Sequence, residues 1–308
     1  MTPNRKILLG GLFAVLSSAL FTGKVIIAKL AYARGIDPLG LVALRMMFAS
    51  PFFMVMLYRR RENLYGLSWR QLAAMVVLGL VGYYLASILD FFGILYISTA
   101  LERMILQLSP SMVLIIGVVF MGQKFDRRLM YSILIGYIGV GLMVCSEMIE
   151  GGSTESVHTS WLGVVLIFAA TVSFALYVIG AEKFMRTVES RAFTALMMLG
   201  ACGGVLIHYM VMKGFVVPTH DLGEFGYGAM MGIFCTVVPS FMINRAIQLI
   251  GGSRIGPYNY FGMGLTFVVS SMLLDESFSP LKLLGIFLAA AGALALTSFS
   301  RKTKEAAA

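Results

Sequence analysis

The sequence predicts an all-α polytopic membrane protein, with ten transmembrane helices in two inverted five-helix repeats. Three observations lead there. Apolar residues make up 59% of the 308-residue chain and charged residues 13%, whereas soluble globular chains average roughly 45–50% and 25%. Ten apolar runs, near 7–32, 38–58, 70–95, 98–121, 129–147, 160–182, 191–212, 225–249, 254–274 and 280–299, approach or exceed the roughly 17–25 residues needed to cross hydrocarbon. A shift of 153 residues lays runs one to five on runs six to ten without a gap. Five spans is an odd number, so the two halves must insert with opposite orientation.

Taken in order, the first run begins at Ile7 and has no A-x-A-like end, so it reads as a retained helix and not a cleaved leader. The second run ends in Arg59-Arg60-Arg61-Glu62, and the polar break extends to Arg70. Runs three and four are joined by a short turn near Tyr96–Ser98. Gly151-Gly152-Ser153-Thr154-Glu155-Ser156 marks the midpoint. The predicted division is a first repeat over 1–148, an external linker over 149–159, a second repeat over 160–300 and a tail over 301–308. The shift pairs Gly10 with Gly163, Gly79 with Gly232 and Gly139 with Gly292. Gly200–Gly204, Gly228–Gly232 and Gly285–Ala289 have the small-xxx-small spacing that lets helices approach closely in lipid. Pro110 and Pro239 fall near mid-span, where each would kink its helix and free a carbonyl.

The net charge of +9 is accounted for by loops that orient the helices. Sixteen Lys and Arg fall on the side of the termini against three on the other, which predicts an inner (plasma) membrane protein with both termini cytoplasmic. No nucleic-acid partner is needed to explain the basic balance. Cys145, Cys202 and Cys235 lie inside apolar runs with no paired spacing, which argues against a disulfide framework or a zinc site. His158, His208 and His220 are scattered. H-E-x-x-H, Walker A and G-x-S-x-G runs are absent, so neither catalysis nor a cofactor is implied.

The informative residues are charges within the spans. Lys24, Lys29, Arg45, Asp90, Glu102 and Arg103 all lie in the first four, and ionisable groups at membrane depth read as functional by default. Lys24 falls roughly 13 Å and Arg45 roughly 10 Å from the outer ends of their helices, at 1.5 Å per residue. Asp90 and Arg103 lie at similar depth on either side of the Tyr96–Ser98 turn, so they are expected to face each other as a gate or as a structural lock. Gln107 follows one turn later. The layer is not mirrored: the shift turns Lys24 into Tyr177, Arg45 into Met198 and Asp90 into Ile243. With four cations against two carboxylates, two positive charges remain for a bound anion. Lys29 and Arg45 are also close enough to the interface to snorkel. Asp90 and Glu102 are candidate carriers of a coupling proton. Tyr83, Ser87 and Asp90 share a helix face, and Asn244 and Asn259 add polar groups in runs eight and nine.

The chain resembles the EamA-type transporters of the drug/metabolite transporter superfamily. FTGKVIIAK (Phe21–Lys29) is similar to that family's W-G-x-N-F-x-x-x-K, and Arg45 in LVALRMMFA matches its span-two arginine. LSPSMVLIIGVVFMGQKF (Leu108–Phe125) and DESFSPLKLLGIFLAAAG (Asp275–Gly292) resemble the two copies of its L-x-P…G-E motif. Lys24, Gln123 and Met263 depart from the pattern, and Asp90, Glu102 and Arg103 lie outside it. The resemblance implies ten helices in inverted repeats and transport of small metabolites.

Together these readings predict a secondary transporter working by alternating access on a small anionic or zwitterionic metabolite, such as an amino acid. Its partners are that substrate and the lipid bilayer, and the sequence does not fix the oligomeric state. The candidate binding or gating residues are Lys24, Arg45, Tyr83, Asp90, Glu102, Arg103, Gln107, Asn244 and Asn259. A membrane enzyme acting on a lipid or isoprenoid would need clustered acids or a His–carboxylate pair. A structural or sensory protein would need no cavity between the repeats.

Overall fold

The computed structural model describes residues 3–121, 127–151, 154–184, 188–215, 222–250, 267–269, 271–274 and 279–306. Among the described residues the chain is helical, and eight helices are long and apolar enough to cross a membrane. Span one is Pro3–Tyr32 and span two Pro38–Arg60. Span three is assembled from Trp69–Gly79, a π-helical segment Leu80–Leu85, and Ala86–Gly93. Span four is broken into Thr99–Leu106 and Ser109–Met121. Spans five, six and seven are Arg127–Gly151, Thr154–Phe184 and Ser190–Lys213. Span eight repeats the construction of span three, with Leu222–Ala229, a π-helical Met230–Val237 and Val238–Ile250. Span ten is Pro280–Ala306. Most of span nine lies outside the described residues, so the expected face of Asn259, Met263 and Thr266 does too.

Local chemistry sets the helix ends. Asp37 accepts from the Gly40 amide at 3.0 Å ahead of Pro38, whose fixed φ suits a first helical position. Ser68 and Gln71 form a reciprocal capping box at the start of span three. Ser98 caps span four through the Leu101 amide at 3.1 Å, and its hydroxyl also bonds Glu147 of span five. Gly35 and Gly214 adopt φ of 82° and 81°, a conformation that glycine reaches without steric cost.

The break in span four falls at Gln107–Leu108, just before Pro110. A proline there removes one amide donor and crowds the preceding turn. Pro239 acts similarly: the π segment of span eight lies immediately ahead of it, and its carbonyl accepts from the Ser17 hydroxyl at 2.9 Å. Span three has no proline. Gly79 and Gly82 instead bring its π segment close against the Met197 backbone and the Tyr177 ring.

Helix packing reveals the inverted repeat directly. Span one packs on eight and three on six, while two packs on seven and five on ten. Exchanging the halves maps each of these contacts onto itself or its partner. The glycines carry the symmetry to the residue level. A Cβ at Gly139 would lie 2.6 Å from the Gly285 carbonyl oxygen and 2.9 Å from the Ala289 Cα. A Cβ at Gly292 would lie 2.7 Å from the Ser132 carbonyl oxygen and 2.8 Å from the Gly136 Cα. The second pair of contacts is the first displaced by the repeat. Span ends are sided as well. Asp37 meets Lys213 at 3.7 Å and Glu150 meets Lys282 at one end; Arg60 meets Glu189 at 3.7 Å at the other.

Candidate functional site

The charged layer assembles where spans one, three and four meet. The Lys24 ammonium bridges two carboxylates, pairing with Asp90 and lying 3.3 Å from Glu102. Asp90 and Glu102 are buried, and the Lys24 and Arg103 side chains are only 12% and 15% exposed. Arg103 turns toward span one, donating to the carbonyl oxygens of Phe21 at 3.2 Å and Thr22 at 3.4 Å. Its Nε lies 3.1 Å from Glu102 Oε2, but at an angle that makes no hydrogen bond for either atom.

This corrects the expected Asp90–Arg103 pair. The two residues share a depth but not a direction. Adjacent helix positions differ by about 100° in direction, so Arg103 and Glu102 reach different neighbours. Glu102 takes the inward direction toward Lys24, and Arg103 takes the one toward the span-one backbone. The four charges sum to zero, which suits a buried network better than any unpaired member would. Two buried acceptors are left without a hydrogen bond, Asp90 Oδ1 and Glu102 Oε2, the second with Arg103 Nε beside it.

Arg45 stands apart from that network. It is buried and does not snorkel. Its Nε donates to Thr236 Oγ1 at 2.8 Å, and its guanidinium lies 5.5 Å from the centroid of the Phe91 ring. Among the described residues it forms no ion pair. Phe91 also faces Lys24, whose ammonium is 5.6 Å from the ring centroid, so one aromatic ring partly stabilises two cations. Thr236 belongs to the π segment of span eight, and its hydroxyl also donates to the Met231 carbonyl at 2.9 Å. The wider turn therefore presents Thr236 across the repeat interface to Arg45. Gly232 makes the approach possible, since a Cβ there would lie 2.7 Å from the Arg45 carbonyl oxygen.

The remaining candidates disperse. Tyr83 sits in the other π segment and packs edge-on against Tyr177 at 5.2 Å and Phe174 at 6.1 Å, within electrostatic range of Arg45. Asp90 lies within electrostatic range of the same guanidinium, though its ion pair is with Lys24. Gln107 lines a narrow crevice with Ser111, Ser132 and Gly136, against spans five and ten, away from the charges. Asn244 lies in the Val238–Ile250 helix, with its side chain outside the described residues, and Asn259 lies outside them entirely. Lys29 donates to the Ile97 carbonyl at 2.6 Å, tying span one to the turn after span three. Sequence reasoning missed Thr236. Thr236 was available as the repeat partner of Tyr83, three residues before Pro239. Among the described residues no cluster of three metal-ligating side chains forms.

The profile of the EamA-like transporter family matches residues 8–145 and again 161–298. The chain belongs to the EamA-like transporter family. The two matches coincide with the halves that the packing relates. The chain is 24% identical over 287 residues to an uncharacterized transporter, YcbK, of Bacillus subtilis (strain 168), covering 90% of this chain and 88% of that one. It is 23% identical to a WAT1-related protein of Arabidopsis thaliana, over 74% and 69% of the two chains. A solved crystal structure superposes with a TM-score of 0.62 at 16% identity, over 98% of this chain and 99% of that one, which shows the shared fold. This EamA-family chain is therefore a multi-pass membrane protein of a transporter family.

Proposed function

We propose that this EamA-family protein is a secondary transporter of a small zwitterionic metabolite, amino-acid-like in its charges, which it moves by alternating access. Both termini face the cytoplasm from the inner (plasma) membrane, as the bias of basic loop residues implies. The observation that carries the reading is Arg45: a buried guanidinium at the repeat interface, with no ion-pair partner among the described residues and one of its five donors spent on Thr236. A bare buried cation is costly, and a bidentate carboxylate is the natural complement of its fork. Asp90, within electrostatic range of Arg45, keeps its Oδ1 without a hydrogen bond and suits the ammonium end of the same molecule. Lys24, held by two carboxylates, acts as the movable bar between sites and not as the anion anchor. Asp90 and Glu102 both hold Lys24, so a coupling proton would act at one of these two carboxylates.

Uptake into proteoliposomes across a panel of amino acids and other zwitterions tests the assignment. Arg45→Met copies the residue at the equivalent place in the second repeat. It should lower transport of the identified substrate at least about thirtyfold, the scale of removing one partner of a desolvated charge pair. Arg45→Lys should retain only part, since an ammonium cannot make the bidentate contact. Unchanged uptake by Arg45→Met would remove Arg45 from the site.

A further inference from the structure

A second basic feature lies far from the transport site. Where span two nears its end, an open groove of about 490 Å³ runs along the outside of the bundle between span two, the start of span seven and span eight. Its walls include Phe52, Val55 and Phe241, which are 44%, 53% and 46% exposed. Its rim carries Arg59, Arg60 and Arg191. Arg60 is shared with Glu189, at 3.7 Å. Arg59 and Arg191 form no ion pair among the described residues, so the rim keeps a net positive charge of about two. Span seven also begins here, at Ser190, and the positive end of its helix dipole adds to the same field.

We infer that this groove is a binding site for an anionic phospholipid. The arrangement has two parts, and each excludes a simpler ligand. From Phe52 to Arg59 is seven residues, or roughly 10 Å along the helix, so the apolar wall descends into hydrocarbon below the arginines. A soluble anion would leave that wall unused. A zwitterionic or neutral lipid would fill the wall and leave Arg59 and Arg191 without a counter-charge. Basic pockets between spans on the cytoplasmic side take acidic headgroups for this reason. The repeat supplies an internal control: the position equivalent to Arg59 is Met212, so the opposite leaflet lacks the same rim. The site needs only the membrane fold; its assignment to the cytoplasmic leaflet rests on the topology proposed above.

The test is thermal unfolding of the purified full chain in detergent, with dioleoyl phosphatidylglycerol, dioleoyl phosphatidylcholine or inorganic phosphate added. Phosphatidylglycerol should raise the midpoint by roughly 3 °C more than phosphatidylcholine, and phosphate should not raise it. Arg59→Gln with Arg191→Gln should abolish that difference while leaving the lipid-free midpoint within about 1 °C. Arg61→Gln, an exposed arginine stacked on Tyr58 outside the groove, should keep it. Equal responses to the two lipids would overturn the assignment. So would a phosphate effect as large as the lipid effect, or loss of the difference in Arg61→Gln. Transport by the double variant in phosphatidylcholine vesicles reads separately whether the function proposed above stands.

Discussion

Lys24 and Tyr177 occupy equivalent positions in the two repeats, and so do Arg45 and Met198, and Tyr83 and Thr236. The backbone around each pair is handled alike. Both third helices carry a π segment, at Leu80–Leu85 and Met230–Val237, and both set a glycine, Gly79 or Gly232, against the second helix of the other half. The side chains differ completely. The first half presents Lys24 to two carboxylates and Arg45 to Thr236, whereas the second presents Tyr177 to the rings of Tyr83 and Phe174. Shared scaffold with unshared chemistry separates two requirements. Inverted repeats need matching backbones to exchange conformations. A substrate with distinct ends needs unlike walls, and a symmetric site would offer it none.

The largest effect is expected from giving the first half the second half's residue. Lys24→Tyr, or the smaller Lys24→Met, leaves Asp90 and Glu102 buried together with their bridging cation gone. Removing one member of such a network costs about 3–5 kcal/mol. The thermal midpoint of purified protein should fall steeply, and Asp90→Asn in the Lys24→Met background should recover more than half of the loss. A Lys24→Met protein as stable as the parent would mean that the carboxylates are held by something other than Lys24.

A second test addresses the scaffold alone. Gly139→Leu and Gly292→Leu each force a side chain into the backbone of the facing helix, at symmetry-equivalent places. Overpacking of this kind costs about 1–3 kcal/mol. The two losses of thermal stability should agree within about 0.5 kcal/mol. A clear inequality would show that spans five and ten are not held by the two-fold contact.

How much of this was legible in the sequence follows the same division. Span positions came from apolar runs, and the repeat from a constant shift, because both depend on hydrophobicity integrated over many residues. The charged layer was legible as a set, since depth along a helix is simple arithmetic. Its pairing was not. Direction around a helix accumulates from every turn, and span three contains a π segment that a regular 3.6-residue reading cannot anticipate. Asp90 and Arg103 share a depth, but Glu102 and Arg103 point about 100° apart on span four, so Glu102 and not Arg103 meets Lys24 beside Asp90. Thr236 escaped for a related reason: a threonine in an apolar run is unremarkable until the π turn and Gly232 bring it to Arg45. Gln107, one turn past Arg103, sits at the break before Pro110 and faces spans five and ten.

The smallest effect discriminates most finely between the halves. Thr236→Val keeps the shape of the side chain and removes the oxygen that fixes Arg45 Nε at 2.8 Å. It also removes the donor to the Met231 carbonyl, a bond internal to the π segment. A single hydrogen bond contributes about 1 kcal/mol, so the substrate KM should rise roughly fivefold with little change in maximal rate. Thr236→Ser restores the hydroxyl and should restore KM, which a purely structural role for the threonine methyl would not do. Tyr83→Phe is the matched change in the first repeat. The aromatic packing of Tyr83 on Tyr177 and Phe174 survives without the phenol oxygen, so KM should stay within about twofold of the parent. If Tyr83→Phe raised KM as much as Thr236→Val, the two π segments would contribute equally to the site, and the division between symmetric scaffold and asymmetric chemistry would fail at its centre.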